Sequence, residues 1–393
     1  MTAGVAGAPT RDRQLAVVGG LCVALAVGGV ACETLGLLPS SAAVVVVLIT
    51  AGVGLRVATL FVARSASSTN RARVMKIVST VGLAVSAVTA IASLPVLTRA
   101  GGMGPFTTDL EAELWALALL TIAAAPVRTM GWRVMVGTGF TGFLALTALA
   151  RLIGSPVVTS LGQDSVVATS IWVPVTEELC QALPLILVLF FAARRATARP
   201  SAVDIALIGA WSGAGFALYE NTQFGRGHAD WTGSAPFSLL FPSIETSVGS
   251  PTMIIASHTI WVAVVGLGCG FGILYRRRYR YAWLAVPVAV LATLMEHGAV
   301  NALAAPGTAS SSLESLAVGL TLGGALSSLL LVVGIGGVLW IEWRALRSTS
   351  RPAEWLLLRP ELAARRGHCL AVAQRPVEPT VATVPLTRTG IQP

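Results

Sequence analysis

Apolar runs of about 20 residues recur along this 393-residue chain, and that recurrence limits its fold more than any other feature. One such run, wound as a helix, crosses the hydrocarbon core of a bilayer. A spanning segment must satisfy its own backbone hydrogen bonds. Uniformly apolar runs rich in Gly and Ala therefore read as helices, not as the alternating strands of a barrel. Charged residues make up only 11% of the chain, against roughly a quarter in soluble domains. The expected fold class is all-α, a polytopic transmembrane helical bundle.

Ten apolar segments can be placed, near 14–33, 41–63, 75–97, 110–127, 134–153, 165–193, 202–221, 251–275, 282–303 and 313–341. Arg11 and Arg13 precede the first run as in a signal peptide, but the run is long and reads as an uncleaved membrane helix. Basic residues favour cytoplasmic loops. With an N-in start and strict alternation, twenty-three of the 27 basic residues lie inside and three, Arg99, Arg151 and Arg226, lie outside. Ten helices with N-in/C-in topology follow. The organisation expected is a five-helix membrane region of unknown role over 1–160, a catalytic membrane region over 161–344, and a mostly disordered cytoplasmic tail over 345–393, with one short helix around Glu354–Arg366. A multi-pass protein of a bacterial-type plasma membrane is the expected setting, with the lipid bilayer as its standing partner.

The net charge of +9 comes from short clusters between apolar runs. Nothing resembles a recognition helix or an aromatic RNA-binding sheet, so nucleic acid is not an expected partner. The five cysteines form no CxxC and read as packing residues.

Ionisable side chains inside membrane helices are costly and ask for a reason. Four places stand out. Glu177 and Glu178 lie mid-segment. Adjacent carboxylates point ~100° apart on a helix, so one can face a reaction centre while the other orients a neighbour. Glu220 and Asn221 end the seventh segment, four residues after Phe216. Alone they would read as a charge at the membrane interface. His258 lies in the first half of the eighth segment, as a proton shuttle, a metal ligand or a packing residue. His297 and Asn301, at i and i+4 near the end of the ninth, can donate to one oxygen as an oxyanion hole requires. The alternating topology puts all four places in the outer half of the membrane, ~0–18 Å below its surface.

In order and spacing, these motifs resemble the PrsW family of intramembrane proteases, grouped with the CAAX-processing and bacteriocin-processing (CPBP, or Abi) endopeptidases. The resemblance covers about residues 170–305. It rests on Glu177-Glu178, on Gly215-Phe216-Ala-x-x-Glu220-Asn221, on His258, and on His297-Gly-x-x-Asn301. It implies that Glu177 activates a water as general base with help from His258, that Glu178 orients or shares the proton, and that His297 and Asn301 stabilise the oxyanion. Glu220 falls where CAAX proteases carry a histidine. The family is labelled a metalloprotease, and its relatives are also interpreted as metal-free glutamate proteases. There is no HExxH here, which tilts the reading away from a required metal, although Glu177, His258 and His297 could ligate zinc.

One departure concerns Gln181, where the family usually carries a basic residue. The implied function is an endopeptidase cutting a membrane-protein substrate near the outer face, such as an anti-sigma factor or another single-pass regulator. The competing readings are an ion-coupled transporter using the same carboxylates, and an inactive scaffold, the latter motivated by Gln181.

Overall fold

The computed structural model describes residues 102–125, 127–162, 165–192, 200–224, 253–276, 278–304 and 311–347, with a few shorter stretches. The first two apolar segments, nearly all of the third, and the short helix expected in the tail lie outside the described residues.

Among the described residues from 102 onward, eight helices run in order: α1 Met103–Ala124, α2 Trp132–Leu161, α3 Val173–Ala192, α4 Ala202–Phe224, α5 His258–Leu274, α6 Ala285–Ala304, α7 Ser311–Leu320 and α8 Leu326–Arg347. Four described helical stretches are long and apolar enough to cross a membrane: Trp132–Leu161, Val167–Phe190, Ala202–Gln223 and Ala282–Leu303. The expected helical class holds. The connection from α4 to α5 adds a small antiparallel sheet, β1 Ala229–Asp230, β2 Ser243–Thr246 and β3 Met253–Ile255, with Ala229 opposite Ile244 and Ile244 opposite Ile255.

Helices α4 and α5 form the centre. Their inward faces are almost wholly buried, from Ala202 to Ala217 and from His258 to Leu267. In a bilayer, helices gain little from burying apolar surface against each other, so close packing of small residues holds them together. The spacing Gly266-x-x-x-Gly270 permits such an approach within or between chains, and the structure makes it within the chain. A Cβ at Gly266 would stand 2.6 Å from the Ile205 carbonyl oxygen, and one at Gly270 would stand 2.7 Å from the Ala202 Cα. Around this pair stand α1, α2, α3, α6 and α8.

One buried acid fixes the near end of α4. The Asp204 carboxylate accepts from Ser201 N (2.8 Å), Thr129 N (3.0 Å), Met130 N (3.2 Å) and Thr129 Oγ1 (2.6 Å), while Ser201 Oγ accepts from Asp204 N (2.9 Å). This reciprocal cap ties the α1–α2 connection to the start of α4.

Two segments differ from expectation. The eighth apolar run, 251–275, is not one helix. Met253–Ile255 pairs into the sheet, and α5 begins at His258, where Ser257 caps it by accepting from Thr259 N (3.2 Å). The tenth run, 313–341, is two helices. Leu322, Gly323 and Gly324 all take positive φ (52°, 67° and 88°), which ends α7 and restarts the chain as α8.

Candidate active site

Each of four helices brings one part of the site. The π-helical turn Val167–Trp172 leads into α3, whose first turns carry Glu177, Glu178 and Gln181. Glu220 stands near the end of α4, His258 is the first residue of α5, and His297 lies in the fourth turn of α6. Gly213 lets α4 and α5 meet here, because any Cβ at this position would collide with the His258 carbonyl group.

The paired glutamates divide as their angular separation requires. Glu178 Oε1 lies 3.2 Å from His297 Nδ1, and Glu177 Oε2 lies 3.4 Å from His297 Nε2. The imidazole of His297 is thus held between two carboxylates, one at each nitrogen. His258 turns its Nε2 to Glu220 Oε2 at 2.9 Å and to Glu177 Oε2 at 4.0 Å, and its Nδ1 to Gln181 Nε2 at 2.9 Å. The two imidazoles cross edge-on with centroids 4.9 Å apart. Trp261 stacks on His297 at 4.5 Å and 16°, and Phe216 lies 4.9 Å from His258. Glu178, Gln181, His258 and His297 are buried, whereas Glu177 and Glu220 are partly exposed. The open side of the cluster therefore carries carboxylates, and its closed side carries aromatic rings.

Five of the six residues singled out from the sequence meet in this cluster. Asn301 shares the helix of His297 but turns elsewhere: its Nδ2 donates to the Thr169 carbonyl (3.1 Å), within the π-helical turn that leads to the glutamate pair. His258 was expected one to two turns inside its helix. It sits instead at the helix start, because the residues before it form a strand.

The structure also adds residues that no motif contained. Asp109 and Glu113, four apart on α1, are both buried. Asp109 Oδ1 accepts from Asn221 Nδ2 (3.0 Å), and Glu113 Oε2 accepts from Thr259 Oγ1. Each therefore braces the neighbour of a site residue, Glu220 in one case and His258 in the other. Glu296, before His297, accepts from the backbone N–H (2.9 Å) and the hydroxyl of Ser327, which ties α6 to α8. Arg151 of α2 stacks its guanidinium over Tyr219, the residue before Glu220, at 5.2 Å. The sequence holds one cue for the α1 pair: two acids at i, i+4 share a helix face.

The donor set suits zinc. One oxygen of Glu177 and one ring nitrogen each of His258 and His297 lie within 4.8 Å of one another. Donors around a tetrahedral zinc stand ~3.3 Å apart, given bonds of roughly 2.0–2.1 Å. Glu177 Oε2 is buried with no hydrogen-bond partner among the described residues, as a waiting ligand oxygen would be. The Glu178 carboxylate on His297 Nδ1 is the outer partner that a metal-bound histidine ordinarily has.

The family described as PrsW family intramembrane metalloprotease matches residues 124–335, more than half of the chain. No curated protein and no solved structure matches it. The match takes in Glu177, Glu178, Glu220, His258, His297 and Asn301, and leaves Asp109 and Glu113 outside. The chain belongs to the PrsW family of intramembrane metalloproteases.

Proposed function

We propose that the cluster hydrolyses a peptide bond of a membrane-protein substrate. The observation that carries this reading is the division of the glutamate pair across His297, with His258 and Glu220 completing the ring. Glu177 is the partly exposed carboxylate nearest both imidazoles and is suited to take a proton from the attacking water. That proton passes to the leaving amine as the C–N bond breaks and the new C–O bond forms an acid. His258 supports the transfer on the Glu220 side. Glu178 holds His297 in orientation, so that the His297 ring faces the developing oxyanion. Asn301 contributes by holding the start of the α3 segment through Thr169. Bound zinc, held by Glu177, His258 and His297, would polarise the carbonyl and lower the pKa of water.

The setting we propose is a ten-helix, N-in/C-in protein of a bacterial plasma membrane, with residues 161–344 as its catalytic region and kinship to the CAAX-processing enzymes. The charge asymmetry of the loops supports that orientation. It puts the site in the outer half of the membrane, where the fitting substrate is a single-pass regulator, such as an anti-sigma factor, cut near its outer end.

Membrane proteomics of cells carrying the native chain or Glu177→Ala tests the reading. New N-termini close to the outer ends of single-pass proteins should appear with the native chain only. Identical terminal profiles at equal expression would exclude a protease and favour a carrier or a scaffold.

A further inference from the structure

Gln181 is fully buried, and its amide sits on the side of His258 facing away from Glu220. Gln181 Nε2 lies 2.9 Å from His258 Nδ1, while Gln181 Oε1 has no hydrogen-bond partner among the described residues. The main chain at this residue is held as well, since Ser212 Oγ donates to the Gln181 carbonyl (2.9 Å). The backbone is pinned, and the terminal amide is held at one end only.

Gln181 is the nearer of two groups at Nδ1, with Glu178 Oε1 at 3.8 Å, so the orientation of its amide bears directly on where the imidazole proton resides. With Nε2 toward the ring, the amide donates to Nδ1. The imidazole then carries its proton on Nε2 and donates it to Glu220 Oε2 at 2.9 Å. In that tautomer Nε2 has no lone pair for a cation. A half-turn of the amide exchanges its oxygen and nitrogen. Oε1 then accepts from Nδ1–H, and the Nε2 lone pair faces the carboxylate oxygens of Glu220 and Glu177, 2.9 and 4.0 Å away. A lone pair among carboxylates is repelled unless a cation lies between them. Both orientations make one hydrogen bond to the ring, and the Glu178 carboxylate 3.8 Å from Nδ1 keeps the Nδ1–H form within reach, so occupancy of the site tips the balance.

We propose that Gln181 is a positioning residue that selects the tautomer of His258 by rotation of its amide, holding the Nε2–H form in the empty site and the Nδ1–H form when His258 takes a divalent cation such as zinc. This rests on the metalloprotease reading. It gives the uncharged residue at 181 a working role, because an amide can both donate and accept at one position.

The test is the zinc dissociation constant of the full-length protein in nanodiscs, measured by competition with a chromophoric chelator. Gln181→Met keeps the shape and loses both hydrogen-bonding ends. Gln181→Glu keeps an acceptor for Nδ1–H. Outer partners of metal-bound histidines typically carry 10–100-fold in affinity. Gln181→Met should therefore bind zinc roughly 10–100-fold more weakly than the native chain, and Gln181→Glu should bind at least as tightly as the native chain. His297→Ala serves as the control for the zinc site. Native affinity in Gln181→Met beside a large loss in His297→Ala would overturn the role of Gln181 and leave the zinc site standing. Native affinity in His297→Ala would overturn the zinc site and the proposal with it. Should Gln181→Met fail to fold, weaker binding in Gln181→Glu than in the native chain overturns the proposal by itself.

Discussion

Asn221 donates its side-chain amide to Asp109 across 3.0 Å and 112 residues of sequence. One turn away on the same helix, Glu113 accepts from Thr259. Helix α1, which ends where the family match begins, therefore holds the residues next to Glu220 and next to His258.

Removing either brace should misplace the site without unfolding it. Leaving a buried amide or hydroxyl unpaired costs about 1–3 kcal/mol, and 1.4 kcal/mol of misalignment expressed in the barrier is about tenfold in rate. Asp109→Ala and Glu113→Ala should each lower kcat roughly tenfold with KM little changed. Asp109→Asn and Glu113→Gln, which keep an acceptor, should recover most of the loss. Steady-state kinetics on a reconstituted substrate would show this, and equal damage from alanine and amide variants would argue against positioning.

The two glutamates of α3 should not be equivalent. Both face the two imidazoles, but Glu177 stands at the Nε2 atoms and is partly exposed, whereas Glu178 stands at the Nδ1 atoms and is buried. Loss of a general base costs ~10²–10⁴-fold, so Glu177→Gln should reduce single-turnover cleavage by that factor. Glu178→Gln retains an acceptor for His297 and should cost roughly tenfold or less. A reversed order would assign the proton transfer to Glu178.

The native chain should bind one zinc ion per chain. His258→Ala and His297→Ala should each abolish it, and Glu220→Ala should not, because the three converging donor atoms belong to Glu177, His258 and His297. Elemental analysis of purified protein after dialysis gives the stoichiometry directly. Retention of zinc by both histidine variants would place the metal elsewhere.

Asp204 is a prediction about stability. Its carboxylate accepts four hydrogen bonds with no exposure to solvent. Hydrogen bonds to a charged group are worth roughly 1.5–3 kcal/mol apiece at the point of loss and are not additive. Asp204→Ala should lose about 3 kcal/mol of stability in denaturant titration and lower Tm, with zinc binding retained in the fraction still folded.

The helices that carry the cluster were legible because ionisable residues in apolar runs are costly and therefore rare. Glu177, Glu178, Glu220, His258 and His297 each broke an apolar pattern, and the structure brings all five together. What escaped was tertiary in origin. The run around Met253–Ile255 is as apolar as a helix, and only pairing with β2 makes it a strand. The positive φ angles at Leu322–Gly324 leave hydropathy unchanged while dividing one expected span into two helices. Asn301 carries the right groups for an oxyanion, but its choice of the Thr169 carbonyl depends on a π-helical turn that composition does not announce. Asp109 and Glu113 look like ordinary acids at a helix end until Asn221 and Thr259 are placed against them.

The early start of α5 bears on how water reaches the reaction. Its 17 residues span ~26 Å at 1.5 Å per residue, a few ångströms short of the ~30 Å hydrocarbon core. At the His258 end the chain is a strand paired with β2 and not a further turn of helix. Hydrolysis inside a membrane is limited by the supply of its second substrate. For the hydrolysis proposed above, a helix that begins at its own imidazole shortens the apolar path between water and the site.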